Sequence, residues 1–555
     1  MYAHGASSSH IPQPPHSAGL SYKGLRAAID PHQIPSPIEV IEADKETWER
    51  TPYTTLPGSH VPLSTTEYVA IDQGNSSPKF VRVSTWNVPS TSRLASECRI
   101  PMAAIIQPFA PLDPREEPVP LVDTGEAGPA RCARCRGYIN AWCTWVAGGN
   151  RWKCNLCQHE TDVHPDYFCG LDANLLRLDH AQRPELLKGT VDFTVSQEYW
   201  APHPPPRISP LFQPILPAPS TGHRIPQPLD YVFILEVSTE AICSGFARSA
   251  CESISRILYG SSPNDVGAVE PCFPAASRIC IMTFDTTLHF YDLTPTLEAA
   301  NMLVVADLDD VFVPTVQGLF VDPQESRPLI EKLLTSLSQR EEFTTFGEAA
   351  LGSALVGGLA ALSGRGGQIV AFTCTLPTIG HGALTPRGDE STLYDTDKES
   401  TLFIPRNDTW ENIAVQCSEE GIGVSMFLGM SKVIDVASIG VVASGTGGEL
   451  FFHPRFDPTR DGPVLSSQLH HLLTRQTIYN AVMKIRCSHG LRISKVFGNY
   501  YENPASDIEF GVLDEDKAVS VQLEHTGQLD DRRYAFFAGG GVVYDEGGGE
   551  EGEGL

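Results

Sequence analysis

Short apolar runs alternate with amphipathic helical patterns over residues 229–475. The apolar runs are DYVFILEVS, RICIMTF, MLVVA, QIVAFTC and IGVSMFL, which begin at Asp230, Arg278, Met302, Gln368 and Ile422. Between these runs, apolar residues recur at helical spacing around 244–258, 328–338, 349–362 and 409–420. Alternation of buried strands with helices is typical of a parallel sheet covered on both faces. The pattern predicts a doubly wound α/β domain, here called the trunk, over residues 229–475.

The hydrophobic pattern on both sides of the trunk is that of short strands. In residues 61–125, the runs FVRVSTWNV and AAIIQPF are punctuated by prolines, as between the strands of a sandwich. Residues 171–228 hold one strand-like run, Thr190–Phe193, and a Pro-rich linker. After the trunk, residues 476–537 are assigned to a second β segment, with strands at 491–500 and 518–523. Leucines at helical spacing predict a helix over Leu465–Ile485 before those strands.

The two ends of the chain have compositions that oppose packing. Residues 1–60 are rich in Pro, Ser and His, and such a segment cannot bury enough apolar surface to become ordered. Residues 538–555 form an acidic Gly-rich run with the same difficulty. Both segments are predicted to be mostly disordered tails.

Composition narrows the class of protein. A net charge of −27 opposes chain-wide affinity for nucleic acid, although it does not exclude a local basic patch. The 14 cysteines include ten scattered singly, as expected in a reducing compartment. We expect no signal peptide and no membrane span, because no basic start precedes an apolar run and no window approaches about 18 apolar residues.

Four cysteines in residues 126–170 form the clearest chemical motif. Cys132 and Cys135 are followed, after eighteen residues, by Cys154 and Cys157. Each Cys-x2-Cys pair lies on a tight turn, and four converging thiolates suit a tetrahedral Zn²⁺ ion at roughly 2.3 Å. The intervening residues have the length of a β-hairpin with Gly148-Gly149-Asn150 as its turn. The spacing predicts a zinc ribbon.

Four protein sulfurs leave a zinc ion no open position for water or substrate, so its expected role is structural. The alternative is two redox pairs or two disulfides, which rarely coincide with ribbon spacing. Cys143 and Cys169 lie off the pattern and are expected to be ordinary thiols.

The end of the first trunk strand resembles the Mg²⁺ site of von Willebrand A-type domains, Asp-x-Ser-x-Ser. The matching positions are Glu236, Ser238 and Glu240. Because Mg²⁺ demands near-ideal octahedral geometry, these replacements predict a degenerate site without the metal. Asp307, Asp309 and Asp310 form a carboxylate cluster after a later strand, interpreted as a solvated loop with capping roles.

Several long motifs closely resemble the cargo-adaptor subunit of the COPII inner coat, and the likeness runs from about Ile29 to Phe537. They include the ribbon, DYVFILEVS, ANMLVVADLDDVFVP, CTLPTIGHGAL, DVASIGVVASGTGGELFFHP and RQTIYNAVMKIRCSHGLRISKVFGNYY. The resemblance implies a von Willebrand A-like trunk, a ribbon beside it, and an antiparallel β-sandwich built from segments on both sides of the trunk. It also implies that the family's helical and gelsolin-like domains are absent and that the sandwich is one or more strands short after Phe537.

The resemblance implies a non-enzymatic function. The trunk pairs with the GTPase-activating inner-coat subunit, and a small coat GTPase recruits this heterodimer to the endoplasmic reticulum membrane. There the adaptor binds export signals of membrane cargo and SNAREs for transport to the Golgi, and outer-coat proteins are further partners. The chain is thus expected in the cytoplasm, peripherally on the reticulum, its exit sites and coated vesicles.

Two cargo-binding residues carry over from the family. Arginines that flank its first ribbon cysteine pair bind acidic export signals, and here those positions are Arg131 and Arg136. Guanidinium groups pair bidentately with carboxylates, which fits this role. The alternative for both is an ordinary solvated arginine.

Other classes of protein are weaker hypotheses. A nucleic-acid-binding zinc ribbon is opposed by the acidic charge, and an Mg²⁺-dependent adhesion-type domain is opposed by Glu236 and Glu240. A hydrolase is opposed because no nucleophile elbow, phosphate loop or HExxH pattern is found. A truncated, non-functional adaptor fragment is the remaining alternative.

Overall fold

A computed structural model describes residues 35–58, 60–85, 87–125, 128–194, 200, 223–224, 227–261, 270–339, 347–430, 434–503, 507–530 and 534–546. The chain divides into two compact units, residues 1–52 with 62–68, and residues 53–61 with 69–555. Within the described ranges, no helix combines the length and apolar character that crossing a bilayer requires.

The described part of the smaller unit is built around helix α1 (Pro37–Arg50). Proline stands in its first turn, where the missing N–H costs no hydrogen bond. The buried Asp44 carboxylate accepts hydrogen bonds from Trp48 Nε1 at 3.1 Å and from the Leu63 backbone N–H at 3.0 Å. The prediction of disorder over residues 1–60 is therefore wrong for this helix, because one buried carboxylate ties it to the following turn. Residues 1–34 lie outside the described residues.

The larger unit begins with short elements, which include the strands of the ribbon. In chain order they are β1 (Tyr53–Thr54), β2 (Ala70–Ile71), β3 (Val81–Val83), α2 (Ser92–Cys98), β4 (Ala103–Ile106), β5 (Leu121–Val122), β6 (Thr144–Val146), β7 (Arg151–Lys153), β8 (Glu160–Asp162) and β9 (Asp192–Phe193). Strands β6, β7 and β8 form the antiparallel sheet of the ribbon, and β5 pairs in parallel with β9. The predicted hairpin between the two cysteine pairs is confirmed.

The trunk is a seven-stranded sheet between two layers of helices. Its elements are β10 (Tyr231–Glu236), α3 (Thr239–Cys243), α4 (Phe246–Tyr259), β11 (Ile279–Phe284), β12 (Leu288–Asp292), β13 (Asn301–Val305), α5 (Arg327–Ser338), α6 (Leu351–Leu362), β14 (Gly367–Thr373), α7 (Thr409–Glu419), β15 (Ile422–Leu428), α8 (Val436–Gly445), β16 (Leu450–Phe452) and α9 (Pro458–Thr474). The strand order is β13-β12-β11-β10-β14-β15-β16. Alternate residues of β10 pack into two separate cores, one with α4, α5 and α9 and the other with α6, α7 and α8. This burial on both faces explains why β10 is apolar along its length.

The trunk sheet is parallel over β11, β10, β14, β15 and β16, but β12 pairs antiparallel with both of its neighbours, β11 and β13. A tight turn at Asp285–Thr287, closed by the Asp285 N–H to the Thr287 carbonyl at 3.1 Å, joins β11 to β12. Such a short connection produces an antiparallel pair, because parallel neighbours need a long crossover. The prediction of a parallel sheet is therefore wrong at the β12–β13 edge of the trunk sheet. Strand β12 itself was not predicted from the sequence.

The sandwich contains two four-stranded antiparallel sheets. Its later strands are β17 (Thr477–Cys487), β18 (Leu491–Phe497), β19 (Tyr501–Glu502), β20 (Ile508–Asp514), β21 (Val519–His525) and β22 (Phe537–Glu546). One sheet has the order β19-β20-β17-β22 and the other β18-β21-β4-β3, so segments from both sides of the trunk meet in one core. The predicted fold class is confirmed.

Two predictions near the sandwich are wrong. The helix predicted over Leu465–Ile485 ends at Thr474, since β17 follows with its own alternating burial. The Gly-rich residues after Phe537 were expected not to pack and to leave the sandwich a strand short, yet β22 pairs with β17 from Cys487↔Phe537 to Ile478↔Glu546. Backbone groups make this ladder, so glycine's lack of a side chain does not prevent it. Residues 547–555 lie outside the described part of the chain.

Candidate metal centre and cargo site

The four predicted cysteines converge at one point. Cys132 Sγ lies 3.5 Å from Cys157 Sγ, and Cys135 Sγ lies 3.7 Å from Cys154 Sγ. All four sulfurs lie within 4.8 Å of one another. A tetrahedral Zn²⁺ with four sulfurs at about 2.3 Å places them about 3.8 Å apart. The cluster therefore has the size and donor set of a structural zinc centre.

Two similar backbone turns position the sulfurs. In the first, the Arg136 N–H donates to the Cys132 carbonyl at 2.9 Å, and in the second the Gln158 N–H donates to the Cys154 carbonyl at 2.9 Å. Arg136 and Gln158 both adopt a left-handed conformation, with φ of 59° and 61°. The residue after Arg136 is Gly137, and a Cβ there would lie 2.9 Å from Leu156 Cδ1, so that leucine side chain would have to shift. Each Cys-x2-Cys pair therefore lies on the same kind of backbone turn. We call the turn at residues 132–136 the first knuckle and the turn at residues 154–158 the second knuckle.

The thiols differ in the direction in which their surroundings shift the pKa. Burial raises the pKa of Cys154. Burial acts in the same direction on Cys132, but hydrogen bonds from the backbone of Cys135 and Arg134 lower the pKa of that thiol to about 7. Zinc binding displaces the protons from all four ligands, so the metal supplies the positive charge that lets four thiolates share one site.

The off-pattern Cys143 is not a ligand. It is buried, its Sγ lies 3.6 Å from Asn155 Oδ1, and burial raises its pKa to about 11. Cys169 likewise lies outside the four-sulfur cluster. The structure thus separates the ligands from the two nearby thiols as the spacing indicated.

Arg131 is held against an aromatic stack. Its Nη2 donates to Tyr138 Oη at 2.7 Å, and its Cζ lies 4.4 Å from the centre of the Tyr138 ring. Phe193, from β9, stacks behind Tyr138 with 5.7 Å between ring centres. Cation–π contact and the hydrogen bond therefore orient the guanidinium, and one aromatic layer supports the other.

Arg136 is placed differently. Its side chain is exposed at the end of the first knuckle, where its left-handed backbone is set by the turn. It does not line the cavity beside Arg131. Both arginines therefore lie on one turn, and among the residues that the structure describes the aromatic contact is made by Arg131.

A cavity of about 340 Å³ opens beside Arg131 between the ribbon, β9 and the sandwich. Its wall includes the aromatic rings of Phe80, Phe109, Trp142 and Phe536 beside polar and charged residues. Trp142 is fixed by its indole N–H, which donates to the Gly74 carbonyl at 2.7 Å.

Arg486 is a cationic residue of this cavity that sequence reasoning missed. It lies on β17 and lines the cavity, while its Nε donates to the Cys135 carbonyl at 2.8 Å. This contact ties the sandwich to the first knuckle. Because Arg486 is 351 residues away from Cys135 in the chain, no local pattern could have revealed it.

The degenerate trunk site is occupied by protein donors. The buried Glu236 carboxylate accepts hydrogen bonds from Ser238 Oγ at 2.5 Å, Thr373 Oγ1 at 2.6 Å and the Cys374 N–H at 2.7 Å, and Thr375 Oγ1 also donates to it. Both carboxylate oxygens are thereby satisfied, which is in keeping with an interpretation that the metal has been lost.

Another acidic group in the described structure is no metal centre either. Glu449, Asp514 and Asp516 come close together, but the buried Arg475 guanidinium contacts all three carboxylates at 2.7–2.8 Å. Lys517 Nζ adds a contact to Glu449 at 3.0 Å. Two cations already pair with this cluster, which joins the trunk to the sandwich.

Comparison with known families matches each of the three parts. The Sec23/Sec24 trunk domain matches residues 226–473, the Sec23/Sec24 zinc finger residues 129–167, and the Sec23/Sec24 beta-sandwich domain residues 478–537. The zinc-finger match covers all four cysteines of the cluster, and with their geometry it identifies structural zinc as the cofactor of this centre.

Similar proteins come from distant organisms. Human protein transport protein Sec24C is 33% identical over 506 residues, which is 91% of this chain and 44% of that protein. Arabidopsis thaliana protein transport protein SEC24 A is 32% identical over 527 residues, 92% of this chain and 48% of that protein. The chain therefore spans about half the length of the curated relatives it matches.

The crystal structure of the human COPII-coat protein Sec24c superimposes with a TM-score of 0.79 at 32% identity, covering 91% of this chain and 64% of the other. Trunk, zinc finger and sandwich thus agree in sequence, order and three-dimensional arrangement. The chain belongs to the Sec23/Sec24 family and is of the Sec24 type.

Proposed function

We propose that the chain is a cargo-binding subunit of the COPII vesicle coat, acting without catalysis in transport from the endoplasmic reticulum to the Golgi. It binds acidic export signals of membrane cargo and SNAREs through Arg131 and Arg136. The observation that carries this proposal is the Arg131 guanidinium, oriented by Tyr138 on the metal-supported knuckle and facing a cavity.

The chemistry of the site suits an acidic, partly apolar peptide. A carboxylate of the signal accepts hydrogen bonds from a guanidinium that has already lost much of its conformational freedom, which reduces the entropic cost of binding. The aromatic cavity offers space for apolar side chains next to that carboxylate. Arg486 and Lys188 add positive charge at the cavity wall, and Lys188 also pairs with Glu117 at 2.7 Å.

The proposal includes the assembly in which the adaptor acts. The trunk pairs with the GTPase-activating inner-coat subunit, a small coat GTPase recruits the pair to the cytoplasmic face of the reticulum, and outer-coat proteins add to it. Membership of the family and likeness to Sec24 proteins support these partners.

Replacing Arg131 and Arg136 together with alanine is expected to weaken binding of an acidic export-signal peptide at least about tenfold. The loss of charge-assisted hydrogen bonds, worth roughly 1.5–3 kcal/mol each, is the physical reason. Isothermal titration with a synthetic peptide of the signal measures the change, and zinc content confirms that the ribbon stays folded.

Arg134 provides a matched control, because it is an exposed arginine on the same knuckle. Arg134→Ala should leave the affinity within about twofold. If the Arg131→Ala/Arg136→Ala variant binds the acidic peptide as tightly as the unmodified chain does, these two arginines are not part of the binding site.

A further inference from the structure

The loop between β14 and α7 presents a threonine to solvent beside a guanidinium. Thr385 is exposed, and residues 385–389 form neither helix nor strand. Arg406, near the other end of the loop, donates a hydrogen bond from Nη1 to the Thr385 carbonyl at 2.5 Å and another from Nη2 to Thr385 Oγ1 at 2.9 Å. One guanidinium therefore contacts both the backbone and the hydroxyl oxygen of this threonine.

The carboxylates near this threonine lie closer to a second arginine. Arg387 Nη2 lies 3.0 Å from Asp435 Oδ2, and Arg387 Nε lies 3.7 Å from Glu390 Oε1. Arg406 Nη1 lies 3.6 Å from Asp435 Oδ2, which is a longer contact than the one made by Arg387. The short hydrogen bonds of the Arg406 side chain thus go to the uncharged oxygens of Thr385, although a guanidinium binds an anion more strongly.

The residue after Thr385 is Pro386, which is also exposed. Proline-directed protein kinases phosphorylate the hydroxyl of a serine or threonine in this dipeptide and bind it as an extended segment. Proline fixes its own φ and disfavours the helical region for the residue before it, so the Thr-Pro step favours that extended shape. A phosphate on Thr385 Oγ1 would lie next to a guanidinium, whose planar fork binds phosphate oxygens bidentately.

We propose that Thr385 is a phosphorylation site for a proline-directed protein kinase and that Arg406 binds the resulting phosphothreonine. The hydroxyl oxygen of Thr385 attacks the γ-phosphorus of ATP and forms the new P–O bond. The bond from that phosphorus to the β,γ-bridging oxygen breaks, ADP leaves, and a base of the kinase takes the hydroxyl proton. The product carries about two negative charges at pH 7.

The phosphate changes how the charges of this site are paired. Arg406 exchanges uncharged oxygens for a dianion, with hydrogen bonds that are shorter and roughly twice as strong as neutral ones, while Arg387 keeps Asp435. Thr385 and Arg406 lie near the two ends of a loop that carries the exposed side chains of Tyr394 and Phe403. A phosphate bridge between them restrains the base of this loop, so hydrogen exchange over residues 388–404 should slow on phosphorylation.

The first test asks whether Thr385 accepts phosphate. The full chain, incubated with ATP and either a purified cyclin-dependent kinase or a purified mitogen-activated protein kinase, should gain a phosphate that tandem mass spectrometry locates at Thr385. The Thr385→Val variant should lose this label. Ser36→Ala is the matched control, because Ser36 is exposed and also precedes a proline, and it should keep the label on Thr385. Absence of phosphate from Thr385 with both kinases overturns the proposal.

The second test addresses Arg406 and uses ³¹P nuclear magnetic resonance of the phosphorylated chain during a pH titration. The second pKa of phosphothreonine is ordinarily about 6, and a bound guanidinium favours the dianion and lowers that pKa. In Arg406→Gln the pKa should rise by at least about half a pH unit, because the cation is lost. Hydrogen exchange over residues 388–404 should return to the rate of the unphosphorylated chain.

Arg492→Gln is the control for this second test, since Arg492 is an exposed arginine of the sandwich. It should leave both the phosphate pKa and the exchange rate of the loop unchanged. The same phosphate pKa in the Arg406→Gln variant and the otherwise unmodified phosphorylated chain would show that Arg406 does not bind the phosphate.

Discussion

Replacing Cys154 with serine is expected to empty the zinc centre and unfold the ribbon over residues 131–162. Zinc in small zinc-finger peptides contributes roughly 10–16 kcal/mol of apparent binding free energy, which is also folding free energy. The buried core of the ribbon is small, and Cys132, Cys143 and Cys154 are part of it. Without the metal, this core cannot hold the knuckles together.

Zinc content by inductively coupled plasma mass spectrometry should fall from about one ion per chain to near zero, and hydrogen exchange over the ribbon should accelerate. Cys143→Ser is the control, since this buried thiol lies beside the centre but outside the four-sulfur cluster. It should keep the metal. A Cys154→Ser variant that retains one equivalent of zinc would refute the four-cysteine assignment.

The Cys154→Ser replacement should also weaken the binding of cargo peptides. Arg131 and Arg136 flank the first knuckle, and the Cys135 carbonyl anchors Arg486. Unfolding the ribbon therefore removes the orientation of all three cations, although their charges remain. The affinity for an acidic peptide should fall at least as far as in the double-alanine variant.

Replacing Arg475 with methionine is expected to lower the free energy of unfolding by roughly 3–5 kcal/mol, because removing one partner of a buried ion pair leaves the other charge buried and unpaired. The Arg475 side chain is 2% exposed and contacts Glu449, Asp514 and Asp516. Burial already raises the pKa of Asp514, although Lys517 and Arg475 oppose this effect. Loss of the guanidinium leaves the Lys517 ammonium beside Glu449 and Asp514, and the His471 imidazole beside Asp516.

Urea unfolding followed by tryptophan fluorescence measures this change. Adding Asp514→Asn to the methionine variant should recover part of the stability, because it removes the carboxylate that is most deeply buried. Arg492→Met is the control, since its ion pair with Glu524 is exposed and should cost about 0–1 kcal/mol. Similar losses for Arg475→Met and Arg492→Met would show that the buried network contributes no special stability.

The zinc ligands and much of the trunk could be predicted because their signals are local. Cys132 and Cys135 lie on one turn, and the spacing of such turns is set by backbone geometry rather than by distant contacts. Strand β15 was predicted with the observed bounds, Ile422–Leu428, because a strand buried on both faces must be apolar throughout.

Pairing partners could not be predicted in the same way. Strand β22 is rich in glycine, which disfavours strands, but the long strand β17 offers it a backbone ladder. The partner of β4 in the sandwich is β21, which follows it by more than 400 residues. These choices depend on which backbone edges remain available after the trunk and ribbon have packed.

The sequence by itself determined the zinc ligands and the trunk's alternating elements, because spacing and periodicity follow from backbone geometry over a few residues. The family resemblance, rather than spacing, pointed to Arg131 and Arg136. Tertiary structure alone decided that Phe193 and Tyr138 orient Arg131 and that Arg486 joins the same cavity. Each of these features depends on contacts between segments far apart in the chain, where loop closure and packing, rather than local propensity, select the neighbour.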